Sequence, residues 1–291
     1  MKILLVGKNG QVGFELQRSL ACLGNITATD RNTLDLTDDD SIRSVIQALK
    51  PNLIVNAAAY TAVDKAETEQ DLAMQINANA PKVIAEQAKQ LDIPFIHYST
   101  DYVFNGQNDK PWTEQDQTDP ISVYGHTKLL GEQAIIDSGV AHLIFRTSWV
   151  YGNRGNNFLL TMKRLATERD ELSVVNDQIG APTWSRHIAD VTANIIAQAK
   201  ATKDVTQFIQ QHAGIYNLSG AGETSWHSFA KAIFELLEQQ GEQVAKLNAI
   251  PTSAYPTPAQ RPLYSCLDNQ KLHQTFDIKL PDWQISLDLA F

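Results

Sequence analysis

The stretch ILLVGKNGQVG, residues 3–13, decides the fold of this chain. Residues 3–6 form an apolar run that stops at Gly7, a pattern typical of a buried strand. From Val12 to Leu20, apolar residues recur every four positions, which predicts an amphipathic helix. A glycine-rich turn between such a strand and helix lets the backbone approach a pyrophosphate at the helix N-terminus. The stretch therefore favours a dinucleotide site over a plain strand-to-helix turn.

Apolar runs alternate with helical patterns through the first half of the chain. Helices are predicted over 71–91 and 124–138, and four further strands close to 26–29, 53–55, 94–98 and 143–145. Alternating strands and helices produce a parallel sheet with helices on both faces. We therefore predict an α/β protein built on a Rossmann-type, doubly wound parallel sheet.

The pattern loosens after about residue 150, where short strand-like pieces separate helical stretches at 156–169, 187–200 and 226–240. Four of the eleven prolines lie between Pro251 and Pro262, so that segment is expected to be extended or turning. We predict an NAD(P)-binding domain over 1–150. Residues 151–291 are expected to form mainly a smaller α/β substrate-binding lobe, from which some strands return to the main sheet.

The 291 residues carry 33 acidic and 24 basic side chains, for a formal net charge of −9. This balance argues against a nucleic-acid partner, because phosphate binding requires clustered lysine and arginine. The two cysteines, Cys22 and Cys266, stand outside any Cys/His cluster and indicate reduced thiols without a structural metal. The first residues do not match a signal peptide, and no apolar run is long enough to span a membrane. We expect a cytoplasmic protein without a membrane partner.

The end of the second predicted strand carries Asp30, followed directly by Arg31. An acidic residue here hydrogen-bonds the adenosine ribose of NAD, whereas an arginine accommodates the 2′-phosphate of NADP. Because both are present, we predict that NADH and NADPH are both used. Asp35 and Leu36 follow shortly, and they either reach the adenine or form a helix-capping loop.

Tyr124 and Lys128 are four residues apart in a predicted helix, so their side chains share one face. A neighbouring cation lowers the pKa of a phenol, and such a pair can give a proton to a carbonyl oxygen while a hydride reaches the carbon. Thr100 follows the fourth strand, where α/β sheets place ligands, and its hydroxyl can hydrogen-bond that carbonyl. We predict these three residues to be catalytic; the alternatives are an ordinary helix surface and a strand-end cap.

Together these residues resemble the extended short-chain dehydrogenase/reductase family. The match covers its glycine fingerprint and its hydroxyl–tyrosine–lysine triad, at Gly7, Gly10, Gly13, Thr100, Tyr124 and Lys128. Within the family, the chain is most similar to reductases of dTDP-linked 4-keto-6-deoxyhexoses, and the similarity runs from end to end. It rests on the blocks NAAAYTAVDKAE (56–67), HYSTDYVFNG (97–106), SVYGHTK (122–128), FRTSWVYG (145–152), NDQIGAPT (176–183) and PTSAYPTPAQRP (251–262).

This resemblance implies NAD(P)H-dependent reduction of the C4 ketone of dTDP-6-deoxy-L-lyxo-4-hexulose to dTDP-L-rhamnose, a sugar donor for cell-surface polysaccharides such as lipopolysaccharide. It implies that Tyr124 protonates the developing alkoxide, that Lys128 holds the nicotinamide ribose and tunes Tyr124, and that Thr100 hydrogen-bonds the sugar. The expected cofactor-binding residues are Gly7, Gly10, Gln11, Val12, Gly13, Asp30, Arg31, Asp35, Leu36, Ala57, Ala58, Ala59, Tyr60, Thr61, Tyr98, Tyr124 and Lys128. The expected substrate-binding residues are Thr100, Asp101, Tyr102, Trp149, Asn157 and Arg261.

Other functions occur on the same fold. Sugar-nucleotide 4,6-dehydratases carry a glutamate where this chain has Tyr102, and tyrosine is a poor base at neutral pH, so a dehydratase is not expected. A non-catalytic subunit resembling the regulatory subunit of methionine adenosyltransferase remains an alternative. Another nucleotide-sugar reductase or an epimerase is a further one.

Some members of the family are dimers bridged by magnesium through surface acids. Glu15 is retained here, but Arg186 stands where an acidic ligand is expected. Because Mg²⁺ prefers oxygen ligands, we predict no metal site and a monomer or weak homodimer.

Overall fold

The chain alternates strands and helices along most of its length. A computed structural model describes residues 1–291. Its strands are β1 (Lys2–Val6), β2 (Asn25–Thr29), β3 (Leu53–Asn56), β4 (Phe95–Thr100), β5 (His142–Thr147), β6 (Val150–Tyr151), β7 (Glu171–Val175), β8 (Ile179–Gly180), β9 (Thr183–Trp184), β10 (Gly214–Asn217), β11 (Thr224–Ser225) and β12 (Lys246–Ile250).

The helices follow the predicted positions in most of the chain. They are α1 (Gln11–Ser19), α2 (Asp39–Leu49), α3 (Val63–Ala66), α4 (Gln70–Met74), α5 (Ala80–Gln90), α6 (Val123–Asp137), α7 (Phe158–Glu168), α8 (Ser185–Ala201), α9 (Val205–Gln211), α10 (Trp226–Gln239), α11 (Gln270–Phe276) and α12 (Trp283–Ala290). A π-helical segment, Gln75–Asn79, joins α4 to α5, and 3₁₀ turns cover Asp101–Val103 and Thr252–Ala254. None of these helices has the length and hydrophobicity that a bilayer crossing requires.

Six strands form a wholly parallel sheet in the order β2-β1-β3-β4-β5-β10. The five strands predicted in the first half are all present. The sixth, β10, comes from far along the chain and pairs with β5. The predicted fold class, a doubly wound parallel α/β sheet, is confirmed.

Helices cover both faces of this sheet and explain why its strands read as continuous apolar runs. Ile3 and Leu5 of β1 face a core that includes α1 and α8, whereas Leu4 and Val6 face the core under α2, α5 and α6. Because successive strand residues point to opposite faces, both sets must be apolar. The helix α8 belongs to the second half of the chain, so that half supplies both a strand and a cover of the main sheet.

A separate core lies in the second half of the chain. The helices α7, α10 and α12 and the parallel pair β7–β12 pack around Tyr151, Phe229 and Trp283. The proline-rich segment 251–262 contains only one short 3₁₀ turn, as expected from its composition. It passes the loop that follows β4 so closely that a Cβ on Gly106 would overlap Pro262.

Candidate active site

The glycine-rich turn lies at the carboxyl end of β1, beside the end of β3, where the order of the sheet reverses. Gly7 has φ of +89°, and a Cβ there would lie 2.7 Å from the Ala58 backbone nitrogen. A Cβ on Gly13 would overlap the Gly7 carbonyl. Gly10 precedes α1 without a side-chain cap, and the first turn of α1 has no acidic residue. The turn therefore presents free backbone N–H groups at a helix N-terminus, which fits a pyrophosphate.

A cavity of about 270 Å³ opens beside this turn. It brings together many of the residues predicted to bind the cofactor, namely Gly7, Asp30, Arg31, Asp35, Leu36, Ala58 and Ala59. Its position at the reversal of the strand order is where doubly wound sheets bind the adenosine part of a dinucleotide. The residues present fit that group.

Two charges of opposite sign meet at the rim of this cavity. Lys8 Nζ lies 2.9 Å from Asp30 Oδ2, and this hydrogen bond is the main reason that the pKa of Asp30 lies below its usual value. Lys8 was not among the predicted residues, although its place inside the glycine turn was visible in the sequence. With Arg31 beside them, a carboxylate and two cations are available for the ribose or for a 2′-phosphate.

For Asp35 the sequence left two roles open, a contact with the adenine and a place in a helix-capping loop, and the structure has features of both. It lines the cavity, and its Oδ1 accepts hydrogen bonds from the backbone N–H of Thr37 at 2.9 Å and from the Thr37 hydroxyl at 2.8 Å. These bonds hold the pKa of Asp35 below its usual value. The carboxylate therefore shapes the loop and lines the cavity at once.

Tyr124 is brought to the end of β4 by the way α6 begins. Ser122 caps the helix by accepting from the Gly125 N–H at 3.2 Å, which places Tyr124 in the first turn. A Cβ on Gly125 would overlap the Tyr102 carbonyl, so only glycine lets the helix approach the turn after β4. Thr100 ends β4, is buried, and donates its hydroxyl to Asp101 Oδ1 at 2.9 Å.

The electrostatics of the predicted catalytic pair differ from the expectation in one respect. Burial raises the pKa of Tyr124 to about 12, and a hydrogen bond with Thr100 opposes that rise only in part. Lys128 Nζ donates to the Tyr98 carbonyl at 2.6 Å and lies 3.2 Å from His97 Nε2. The expected lowering of the Tyr124 pKa by Lys128 is therefore not found in the ligand-free chain, where burial dominates, and tuning by Lys128 in the cofactor complex stays a prediction.

Two further side chains face the predicted catalytic group. Burial raises the pKa of Asp101 to about 7, and its Oδ2 has no hydrogen-bond partner. The Tyr102 ring meets the Tyr124 ring edge-on, with centroids 5.5 Å apart, and burial raises its pKa as well. The two phenols are thus protonated at neutral pH and the Asp101 carboxyl is partly so, and Thr100 and Asp101 are buried, a setting in which hydrogen bonds to a ligand are strong.

Two predicted contact residues are given other roles by the structure. The Tyr98 side chain points into the core, where its hydroxyl lies 2.7 Å from Thr192 Oγ1, so only its carbonyl reaches the site. Asn157 caps α7, and its amide donates to Gln11 Oε1 and to the Gly152 carbonyl. Strand alternation and helix capping thus use these side chains within the protein, and the predicted ligand contacts of Tyr98 and Asn157 stay predictions.

Other predicted residues lie around the same crevice. Trp149 has φ of +45°, a left-handed conformation that is rare for a bulky residue, and its indole stacks on Trp226 with centroids 3.5 Å apart. Arg261 makes a two-pronged ion pair with Asp64, at 2.8 and 3.1 Å. Neither Trp226 nor Asp64 was predicted from the sequence, because each contacts a site residue that is distant in the chain.

The loop after β3 is held by a residue that the sequence analysis did not single out. Asn77, in the π-helical segment, accepts from the Tyr60 N–H and donates to the Tyr60 carbonyl and to Thr127 Oγ1.

Three residues predicted to bind the cofactor also contact other parts of the protein. Val12 and Ala57 pack against the core, and Gln11 donates to the Val150 carbonyl. The wall of the crevice is therefore fixed by side chains from three separate segments.

Comparison with known proteins shows which family this chain belongs to. A family model described as the RmlD substrate binding domain matches residues 1–291. This chain belongs to the RmlD substrate binding domain family. The resemblance found in the sequence is thereby confirmed at the level of a narrower family than the extended short-chain dehydrogenase/reductases.

Relatives of the family match the chain over nearly its full length. The dTDP-4-dehydrorhamnose reductase of Escherichia coli K12 is 50% identical over 99% of this chain and 96% of its own. A crystal structure of such a reductase from Clostridium acetobutylicum shares 38% identity, covers 100% of this chain and 98% of its own, and has a TM-score of 0.90. One from Bacillus anthracis, in complex with NADP, shares 34% identity with the same coverage and a TM-score of 0.87.

Proposed function

We propose that this chain reduces the C4 ketone of dTDP-4-dehydro-β-L-rhamnose to dTDP-L-rhamnose, with NADPH or NADH as the reductant. The observation that carries the proposal is the placement of a half-buried, protonated Tyr124 next to the buried Thr100 at the end of β4. That end of β4 lies two strands from the glycine turn of β1, across β3. The name of the Escherichia coli relative supports the same reaction.

The cofactor follows from the cavity and from a relative. The glycine turn, Asp30 and Arg31 would hold the pyrophosphate and the adenosine ribose, and the Bacillus anthracis relative contains NADP. When bound, reduced nicotinamide supplies the hydride that reaches C4 of the sugar. Because Lys8 and Arg31 supplement Asp30, both nicotinamide cofactors fit this rim.

The residues at the end of β4 then handle the proton. With its pKa raised to about 12, Tyr124 keeps its phenolic proton across the neutral range. A phenol is a far stronger acid than the alcohol formed from a sugar ketone, so Tyr124 donates to the oxygen as negative charge develops there. Thr100 orients the phenol and the ketone oxygen, and the burial of Thr100 and Asp101 limits the access of water to the transfer.

The substrate would be bound by residues at the end of β4 and around the second lobe. Asp101 and Tyr102 would meet the hexose, Trp149 would line the lobe's edge, and Arg261 would face the pyrophosphate, since its guanidinium is planar and always charged. Residues 151–291 would thus form mainly the substrate-binding lobe, and 1–150 mainly the cofactor domain. We also infer a cytoplasmic protein that acts as a monomer or weak homodimer, without nucleic acid, membrane or metal partners.

The alternative functions receive less support. A regulatory subunit needs no ordered proton donor, yet Thr100 and Tyr124 are held by a specific helix cap and a strand end. Curated relatives at 46 and 50% identity are named as dTDP-4-dehydrorhamnose reductases. No observation favours an epimerase or a dehydratase.

One assay tests the proposal. The chain is incubated with dTDP-4-keto-6-deoxyglucose, a 3,5-epimerase and either NADPH or NADH, and loss of the reduced-nicotinamide absorbance is followed. We expect oxidation that depends on the epimerase, with dTDP-rhamnose as the product by mass and chromatography. Cofactor oxidation in neither reaction, with an active epimerase, would contradict the substrate assignment.

A further inference from the structure

Three buried polar side chains form a row behind the predicted catalytic helix. Asn56 ends β3, His97 lies opposite it on β4, and Lys128 reaches them from α6. Each of the three is at most 1% exposed. Asn56 Nδ2 lies 3.2 Å from His97 Nδ1, and His97 Nε2 lies 3.2 Å from Lys128 Nζ. The proposed reaction assigns a task to Lys128 but none to Asn56 or His97.

The hydrogen positions along this row follow from its first member. The Ala58 backbone N–H donates to Asn56 Oδ1 at 3.0 Å, so the amide nitrogen of Asn56 faces His97. An amide nitrogen can only donate, and His97 Nδ1 must therefore accept. Burial lowers the pKa of His97 well below its usual value, which keeps the imidazole neutral. A neutral imidazole with a bare Nδ1 carries its single proton on Nε2.

That proton points at Lys128. An ammonium group has three donors and no acceptor, whereas a neutral amine has a lone pair. The contact between His97 Nε2–H and Lys128 Nζ is thus a hydrogen bond only when the lysine is neutral. The ammonium form would require the imidazole proton on Nδ1, where it would oppose the Asn56 N–H. Lys128 still donates to the Tyr98 carbonyl in its neutral form.

The charges around Lys128 agree with this arrangement. Burial lowers the pKa of Lys128 to about 8, and Glu132 on the same helix opposes that shift. Glu132 is itself paired with Arg146 of β5, which limits its effect. From β4 the titratable group that faces the amine is His97, and Tyr124 lies one turn away on α6.

We propose that Asn56 and His97 are positioning residues that favour the neutral amine of Lys128 in the ligand-free chain. Ala58, whose N–H donates to Asn56, lines the cofactor cavity, so the wall of that cavity is connected to the lysine through three hydrogen bonds, by way of Asn56 and His97. Protonation of Lys128 then requires the row to rearrange, with the imidazole proton of His97 moving from Nε2 to Nδ1. The use of this coupling in catalysis rests on the proposed function, whereas the protonation state of Lys128 does not.

The test is an NMR titration of the ligand-free, full-length chain. Lysine labelled with ¹³C at Cε reports the pKa of Lys128, with the signal assigned by its loss in Lys128→Met, and ¹⁵N-labelled histidine reports which imidazole nitrogen carries the proton. We expect a Lys128 pKa at least about one unit below that of an ordinary lysine and, at pH values above that pKa, a protonated Nε2 on His97. A proton on Nδ1 at those pH values, or an ordinary lysine pKa, would overturn the proposal.

Two substitutions are expected to reverse the direction of the hydrogen bonds along the row. In Asn56→Asp, the carboxylate accepts from Ala58 and from a proton on His97 Nδ1, so Nε2 becomes an acceptor for an ammonium. In His97→Gln, an amide oxygen can take the same place. Both should raise the Lys128 pKa by about one unit or more, whereas His273→Gln, at an exposed position on α11, should not.

Thermal unfolding shows which variants are folded, and only those enter the comparison. An unchanged Lys128 pKa in either folded variant would refute the role of the row. Because no substrate or cofactor is present, this result is independent of the activity assay. A chain without reductase activity could still show the shifted lysine, and an active one could lack it.

Discussion

Arg146 of β5 and Glu132 of α6 form a two-pronged ion pair inside the protein. Arg146 Nε donates to Glu132 Oε1 at 2.9 Å and Nη2 donates to Oε2 at 2.6 Å, with both side chains at most 3% exposed. The pair connects α6, which carries Tyr124 and Lys128, to strand β5 of the main sheet. Removing one partner of such a pair leaves a charge buried without compensation.

Glu132→Gln is therefore expected to lower the free energy of unfolding by about 3–5 kcal/mol, as measured by urea denaturation. The matched control is Glu168→Gln on the exposed pair with Arg164, which should change it by less than about 1 kcal/mol. Equal losses in the two variants would show that burial does not set the strength of the inner pair.

Tyr124→Phe should lower kcat by about 10²–10⁴-fold, because the variant has no proton to give the developing alkoxide. The dissociation constant for NADPH, measured by fluorescence titration, should change far less. Tyr216→Phe, which removes a phenol bonded to the His212 carbonyl away from the crevice, serves as the control. A kcat close to that of the unaltered chain would refute Tyr124 as the acid.

Asp30→Ala should raise the ratio of kcat/KM for NADPH to that for NADH by about tenfold or more. The change removes the acceptor for the ribose hydroxyls and frees Lys8 for a phosphate, and a hydrogen bond to a charged group contributes about 1.5–3 kcal/mol. Arg31→Ala should lower the same ratio, and Asp40→Ala, on the exposed face of α2, should leave it unchanged. An unaltered ratio in both rim variants would place the ribose contact elsewhere.

Arg261→Lys should raise KM for the dTDP-sugar by about tenfold while the affinity for NADPH is retained. Lysine keeps the charge but loses the planar fork that grips Asp64 and a phosphate together. Arg43→Lys, on an exposed pair of α2, is the control in the same steady-state assay. If KM is unchanged, Arg261 only braces the proline-rich segment.

Removal of divalent cations with EDTA should leave the sedimentation coefficient unchanged. Arg186 lies 3.4 Å from Glu15 and 3.1 Å from Asp190, so these carboxylates already have a cation. Arg186→Glu would convert the patch to three acids, and a magnesium-dependent dimer of that variant alone would support this explanation. A dimer of the unaltered chain that dissociates in EDTA would contradict it.

The sequence was most informative where chemistry depends on neighbours along the chain. The glycine turn, the five early strands, and the one-turn spacing of Tyr124 and Lys128 are local patterns, and the structure has each of them. The family resemblance added the residues around the second lobe, whose roles stay predictions.

The features that sequence reasoning missed depend on pairs distant in the chain. Lys128 is held by β4 and not by its helical neighbour, and the orientation of Asn157 is set by capping. The exposure of a phenol influences its pKa as much as a nearby lysine does. The periodicity of a sequence does not reveal how deeply the side chains at the end of β4 are buried. Strand β10 was visible as an apolar piece, but its place beside β5 was not.

The late position of β10 affects how the protein is made. A ribosome delivers β5 well before its outer neighbour, so the growing chain carries Leu143, Ile144 and Phe145 on an open strand edge while the following residues are translated. Unpaired apolar edges recruit other strands, including those of sister chains on the same messenger. Products truncated between the two strands would carry that edge permanently, which makes them candidates for chaperone capture and degradation.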